Sequence, residues 1–208
     1  MIENFNQLML GQYMDIQAIS REEGLEDIDR QAQILSVLSG IDAEEILHLP
    51  IGEYKEMVAK ADFLTRTELP RIQAAQSYRV GDFTLFPVKD YRKLEAGQYV
   101  DFQTYAPDLE NHLVEFLSVI LVPKGCRYNE GYDVLEVQKA IRDDMSVIDG
   151  VTIAGFFLTW CRSSILNSLN SSKQEAMRIK DRQKREKILE EIASQERILG
   201  RGGDGSPT

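Results

Sequence analysis

Cysteine is scarce in this chain: Cys126 and Cys161 alone, in 208 residues, make no disulfide framework. Histidine is as rare, with only His48 and His112. These four offer none of the close spacings that let one turn present two metal ligands, so a zinc-type site is not expected. Long apolar runs are missing too. The most apolar stretch, Val151 to Cys161, falls well short of the roughly 20 residues needed to cross a bilayer. Met1-Ile2-Glu3-Asn4 has neither the basic lead-in nor the apolar run of a secretory signal. A soluble, intracellular protein with no membrane association is therefore expected. Positive charge is thin over most of the chain: residues 1–172 hold 15 Lys/Arg against 27 Asp/Glu, a net −12. Such a body would repel phosphates, which argues against nucleic acid as a partner. Residues 173–201 reverse the sign, with 9 Lys/Arg against 6 Asp/Glu.

Catalytic groupings are equally sparse. Cys126 lies in Pro123-Lys-Gly-Cys-Arg-Tyr, where Lys124 or Arg127 could activate a thiolate. No signature surrounds it, and neither histidine can be set beside it, so a structural thiol is the better reading. Cys161 reads as a small core residue on an apolar helix. The acidic pairs Glu22-Glu23, Glu44-Glu45 and Asp143-Asp144 read as solvated helix surface. Gly200-Arg-Gly-Gly-Asp-Gly is rich in glycine, but no strand precedes it and no helix follows to aim amides at a phosphate. Neither catalytic residues nor a metal or cofactor is expected.

What the sequence does contain is a repeat. Gly11-Gln12-Tyr13-Met14-Asp15-Ile16-Gln17 returns as Gly97-Gln98-Tyr99-Val100-Asp101-Phe102-Gln103, 86 residues later. Five positions are identical, and the other two exchange one apolar residue for another. Leu35-Ser36-Val37 is echoed by Leu117-Ser118-Val119 at an offset of 82, and the pair Asp42/Glu45 by Asp133/Glu136 at 91. Three landmarks in one order point to one helical pattern used twice.

Helical spacing predicts a short helix over 7–17, broken by Ser20 to Gly24, then an amphipathic helix from Leu25 to Leu38 stopped by Gly40. Asp42 is expected to cap the next helix through the Glu45 amide, with Glu45 reaching back and Ile41 and Ile46 as a hydrophobic staple. A third helix, Ile51 to Leu64, turns Tyr54, Val58, Ala61 and Leu64 to one side. Strands 76–80 and 83–87 flank Gly81-Asp82, a sequence suited to a type II′ hairpin. The second cycle repeats the scheme. The next helix has Leu109, Leu113, Phe116, Leu117 and Ile120 as its buried face and ends at Pro123 and Gly125. Asp133 and Glu136 cap helix 133–144, with Tyr132 and Val137 in the staple positions. Helix 151–169 carries Phe157, Trp160, Ser164 and Ile165 at helical spacing.

The expected fold is mainly α: a first helical repeat (1–69), a β-hairpin connector (70–93), a second helical repeat (94–172), a charged helix (173–199) and a disordered tail (200–208). Ser171-Ser172 marks the end of the body. Tyr13 and Tyr99 are expected in equivalent pockets, hydroxyls at the edge. With Gly11, Gln12, Asp15 and Gln17, and Gly97, Gln98, Asp101 and Gln103, they form the repeat motif and a possible recognition surface.

Leu10-Gly-Gln-Tyr-Met-Asp-Ile-Gln, Ile34-Leu-Ser-Val-Leu-Ser-Gly, Ile41-Asp-Ala-Glu-Glu-Ile and Leu49-Pro through Phe63-Leu64 resemble the helical pattern of tailed-bacteriophage tail assembly chaperones. The second half, with Gly97 to Gln103, Leu121-Val-Pro and Phe156-Phe-Leu, resembles related proteins of phages infecting gut bacteria. The likeness covers about residues 8–66 and 94–160. Two cycles and a hairpin depart from the simplest chaperone pattern. The resemblance implies a non-enzymatic assembly factor in the host cytoplasm, with the tape-measure protein and tail-tube subunits as partners and a homo-oligomer possible. The alternative it allows is a structural protein retained in the virion, in a connector or within the capsid.

Overall fold

A computed structural model of the chain describes residues 1–65, 72–88, 90–177 and 186–193. It is mainly helical with one small antiparallel sheet. Two compact units divide the chain, Met1–Gly155 and Phe156–Thr208.

The first unit opens with α1 (Leu10–Arg21), which starts later than its apolar spacing suggests and runs on through Ser20. Ser20 is helical, and its hydroxyl donates back to the Ile16 carbonyl (2.7 Å). Next comes α2 (Asp27–Ser39), closed by Gly40 at φ 74°, a left-handed conformation that favours glycine. α3 (Ala43–Leu47) is a short helix capped by Asp42. α4 (Ile51–Lys60) tightens into a 3₁₀ turn over Ala61–Thr65. Ala32, Leu35 and Ile46 centre a cluster against which Tyr54, Met57, Val58 and Ala61 pack. The N-terminal segment lies over the same helices. The Ile2 amide donates to the Leu38 carbonyl (2.9 Å), and the rings of Phe5 and Phe63 meet edge-on at 5.0 Å.

β1 (Tyr78–Val80) and β2 (Phe83–Pro87) pair antiparallel across Gly81-Asp82. Gly81 alone of the two has positive φ (54°), as a type II′ turn requires. The ribbon does not stand alone. β3 (Leu121–Pro123) pairs with β2, so the sheet order is β1-β2-β3. The sequence pattern marks Leu121 to Pro123 only as the end of a helix. Two branched residues leaving that helix in extended conformation instead supply the third strand that a marginal hairpin needs.

The second series begins with α5 (Ala96–Tyr105) and α6 (Leu109–Ile120), with a 3₁₀ turn between them and a bend at His112 (φ −125°, ψ 28°). Its burial extends beyond the expected stripe. Val114 and the run Phe116 to Ile120 are buried, while Leu109 and Leu113 are only partly so. α7 (Val134–Asp144) follows an Asp133 cap.

Each glutamine-led helix packs on the helix after it, α1 on α2 and α5 on α6. Each aspartate-capped helix packs on the helix before it, α3 on α2 and α7 on α6. The two series are not separate bodies, because α1 also packs on α7. Met9 and Ser146 form a bridge, flanked by Leu10 N–H to the Met145 carbonyl (2.8 Å) and Val147 N–H to the Leu8 carbonyl (3.0 Å). Leu8, Leu10, Leu117, Met145 and Val147 are buried at or near this junction. The absence of a side chain on Gly150 admits Leu10 and Leu117 beside it.

α8 (Val147–Met177) starts four residues before the expected helix and continues through Ser171 and Ser172, where the sequence suggests the end of the body. In the second unit Phe157, Cys161 and Ile192 are buried and Phe156 is exposed. Of the charged helix expected over 173–199, residues 173–177 belong to α8 and 186–193 are helical. The rest of it, the tail at 200–208 and residues 66–69 of the first repeat lie outside the described residues. Among the described residues no helix is long and apolar enough to cross a membrane.

Candidate functional site

The repeated heptapeptides open α1 and α5, and their glutamines do the same local work. The Met9 amide donates to Gln12 Oε1 (3.0 Å), and the Glu95 amide to Gln98 Oε1 (3.2 Å). A glutamine three residues past the cap thus satisfies a backbone donor that the helix leaves orphaned. The reciprocal pattern expected at Asp42/Glu45 and Asp133/Glu136 is different. Asp42 accepts from the Glu44 amide and Asp133 from the Leu135 amide, each at 2.8 Å and one residue earlier than expected. The short aspartate side chain reaches an i+2 donor. Glu45 and Glu136 stand exposed, and the return bond is absent among the described residues. Ile41, the outer member of one staple, is 37% exposed, although Ile46 is fully buried.

Beyond the caps the two motifs diverge. Gly11 is buried against α7: a Cβ there would lie 2.6 Å from Arg142 Cγ and 2.8 Å from the Arg142 carbonyl oxygen. A Cβ on Gly97 would meet nothing within 4 Å. Asp15 pairs with Arg142 at 2.5 Å, whereas Asp101 accepts from the Tyr128 hydroxyl at 2.7 Å. Gln98 is buried and also donates from Nε2 to the Val119 carbonyl (2.5 Å); Gln12 is half-buried. The tyrosines do not share equivalent pockets. Tyr13 is half-buried, and burial raises its hydroxyl pKa. Tyr99 is 41% exposed, stacked on Phe102 and bonded by Gln103 Nε2 (2.7 Å). Gln17 is half-buried. The repeat motif is therefore a helix opener placed in two environments, and it lines no common cleft.

The loop after β3 clasps α5. Arg127 grips Glu95 with two contacts of 3.2 Å, and burial followed by Asp101 holds the Tyr128 proton well above the usual tyrosine range. Cys126 sits half-buried in this loop. Burial pushes the Cys161 thiol up to about 11. His48 Nδ1 bonds the Glu44 carbonyl (2.7 Å), and the His112 ring lies against Tyr105, its Nδ1 buried without a partner. Among the described residues neither histidine hydrogen-bonds a cysteine or serine. Nor do three or more His, Cys, Asp or Glu gather in a way that could hold a metal.

Among the described residues a concavity lies elsewhere, between α2 and α4 with its 3₁₀ extension. It encloses about 590 Å³. Ile28, Ile34 and Leu35 line it from one side, and Tyr54, Val58 and Leu64 from the other. The Tyr54 hydroxyl donates to Gln31 Oε1 (2.7 Å), which ties α4 to α2 across the groove. Asp27 and Asp62 stand on its rim. Leu47 at the end of α3 and Ile51 at the start of α4 are 41% and 68% exposed. Sequence spacing identified the α4 face of this groove. It gave no sign that Ile28 would stay 54% exposed. No protein-family model, no curated protein and no solved structure matches the chain.

Proposed function

We propose that this protein is a non-enzymatic assembly factor that holds other polypeptides through its helices. In its specific form the reading follows the sequence resemblance. It is a tail assembly chaperone of a tailed bacteriophage, working in the host cytoplasm, that covers apolar segments of the tape-measure protein until tail-tube subunits replace it. The observation that carries the binding role is the open face of the first helical series: a pre-formed apolar groove with large aliphatic side chains in solvent around it. Such a face suits reversible cover for a helix. A second series built to the same order supports a duplicated module, which could add avidity. Co-expression with a tape-measure protein tests the proposal. The client should become more soluble and co-purify with this chain; failure of both would reject the chaperone role.

A structural protein retained in the virion is the second reading, and the sheet favours it. β1 is an edge strand of the sheet among the described residues, and an edge strand is where another subunit could pair. Mass spectrometry of purified particles separates the two: a chaperone leaves the particle and a structural subunit stays.

A further inference from the structure

Charge narrows what the α2–α4 groove can hold. Residues 1–65 contain 13 Asp/Glu against 4 Lys/Arg, a net −9. Three of those four bases are already paired: Arg21 with Glu110, Arg30 with Asp27 and Lys60 with Glu3. On the rim the Asp27 side chain is fully exposed despite its contact with Arg30, and Asp62 is exposed as well. The groove is thus apolar in its floor, with Asp27 and Asp62 exposed at its edge, Arg30 bonded to Asp27 beside them, and a strongly acidic segment around it. A second copy presenting the same face would set like charges against each other, which disfavours a symmetric self-contact.

Backbone chemistry narrows the occupant further. Both walls are helices whose N–H and C=O groups are bonded internally. An extended segment laid on this floor would leave its own backbone donors and acceptors unpaired, whereas a helix satisfies them itself. From Asp27 to Leu35 the α2 wall rises about 12 Å, a little over two turns of an occupying helix. We propose that this groove binds a basic amphipathic helix of a client polypeptide. Apolar residues at i, i+3, i+4 and i+7 sit on Ile28, Ile34 and Val58, and flanking Lys or Arg face Asp27 and Asp62. The assignment rests on the polypeptide-binding role proposed above and names the surface and the class of partner.

The test is fluorescence anisotropy on the full chain with a labelled helical peptide of about fourteen residues, four turns. One version carries Leu at the apolar positions with Lys elsewhere, and the other has Glu in place of Lys. The Lys peptide should bind at least about tenfold more tightly than the Glu peptide, and its affinity should fall as salt rises from about 50 to about 300 mM. Ile28→Glu and Asp62→Lys, both at exposed positions, should each weaken it by about tenfold. Leu135→Glu, on α7 at a residue 73% exposed, should leave it unchanged. Equal binding of the two peptides, binding of neither, or an equal loss in Leu135→Glu would overturn the assignment. So would a dimer, seen by light scattering, that Ile28→Glu dissociates. Co-expression keeps the two proposals apart. If the client is solubilised by the wild type and equally by Ile28→Glu, the groove is not the site and the chaperone role stands. If the wild type fails with the client yet binds the Lys peptide in an Ile28-dependent way, the groove stands and the chaperone role falls.

Discussion

α2 and α6 hold the same place in their series, each after a glutamine-capped helix and before an aspartate-capped one. α2 buries Ala32, Leu35 and Leu38 and leaves Ile28 in solvent; α6 buries Val114 and everything from Phe116 to Ile120. The segments that leave the two helices differ as well. After α2 a left-handed Gly40 leads straight to the Asp42 cap. After α6 the chain makes β3 and a clasping loop before Asp133, and both fold back over α5 and the sheet. The second series carries that insertion and buries more of its central helix. The first, lacking it, keeps a helix face open. An amphipathic pattern settles which stripe goes inward, and the connection settles how much of the remainder is covered.

The contrast can be broken most forcefully in the cores. Phe116→Ala removes a fully buried ring from the closed series and should cost about 3–5 kcal/mol in urea unfolding. Val58→Ala, on the open groove, should cost under about 1.5 kcal/mol by the same measurement, because the site is only partly buried. Equal losses would mean that the first series is as sealed as the second. The two motif glycines come next. Gly11→Ala drives a Cβ into the Arg142 backbone and should destabilise by about 1–3 kcal/mol. Gly97→Ala, in open space within a helix, should stabilise by up to about 1 kcal/mol. Thermal melts of the pair should move in opposite directions.

Smaller effects separate the glutamines. Gln98→Ala loses a cap and leaves the buried Val119 carbonyl without its side-chain donor, at about 1–3 kcal/mol. Gln12→Ala loses only the cap, at about 0.5–1 kcal/mol. The smallest effect is in alkali. The hydroxyl of Tyr128 has a folded pKa raised above its ordinary 10.0, so its contribution is complete below pH 10 and is lost as pH rises through the folded value. Tyr128→Phe should therefore flatten the loss of stability above pH 10, and a pH series of melts measures it.

The helices and the stop at Gly40 were legible because the 3.6-residue spacing and a positive-φ glycine are local signals. The hairpin turn was legible for the same reason at Gly81. β3 was not: Leu121-Val122-Pro123 is too short to declare a strand, and its identity depends on β2, more than thirty residues away. The glutamine caps were in view as Met9-x-x-Gln12 and Glu95-x-x-Gln98, but the aspartates drew the capping assignment. The groove was half legible. Tyr54, Val58 and Leu64 fell on one predicted side, and nothing in the order of residues says that a groove would run between them and α2.

Hydrogen exchange of the protein alone and with a co-purified client is the most direct test of an open series that binds and a closed one that supports. Added protection should fall on 27–35 and 54–65, with 109–120 unchanged from its already slow exchange. Protection gained on α5 and α6, with none on α2 and α4, would contradict it.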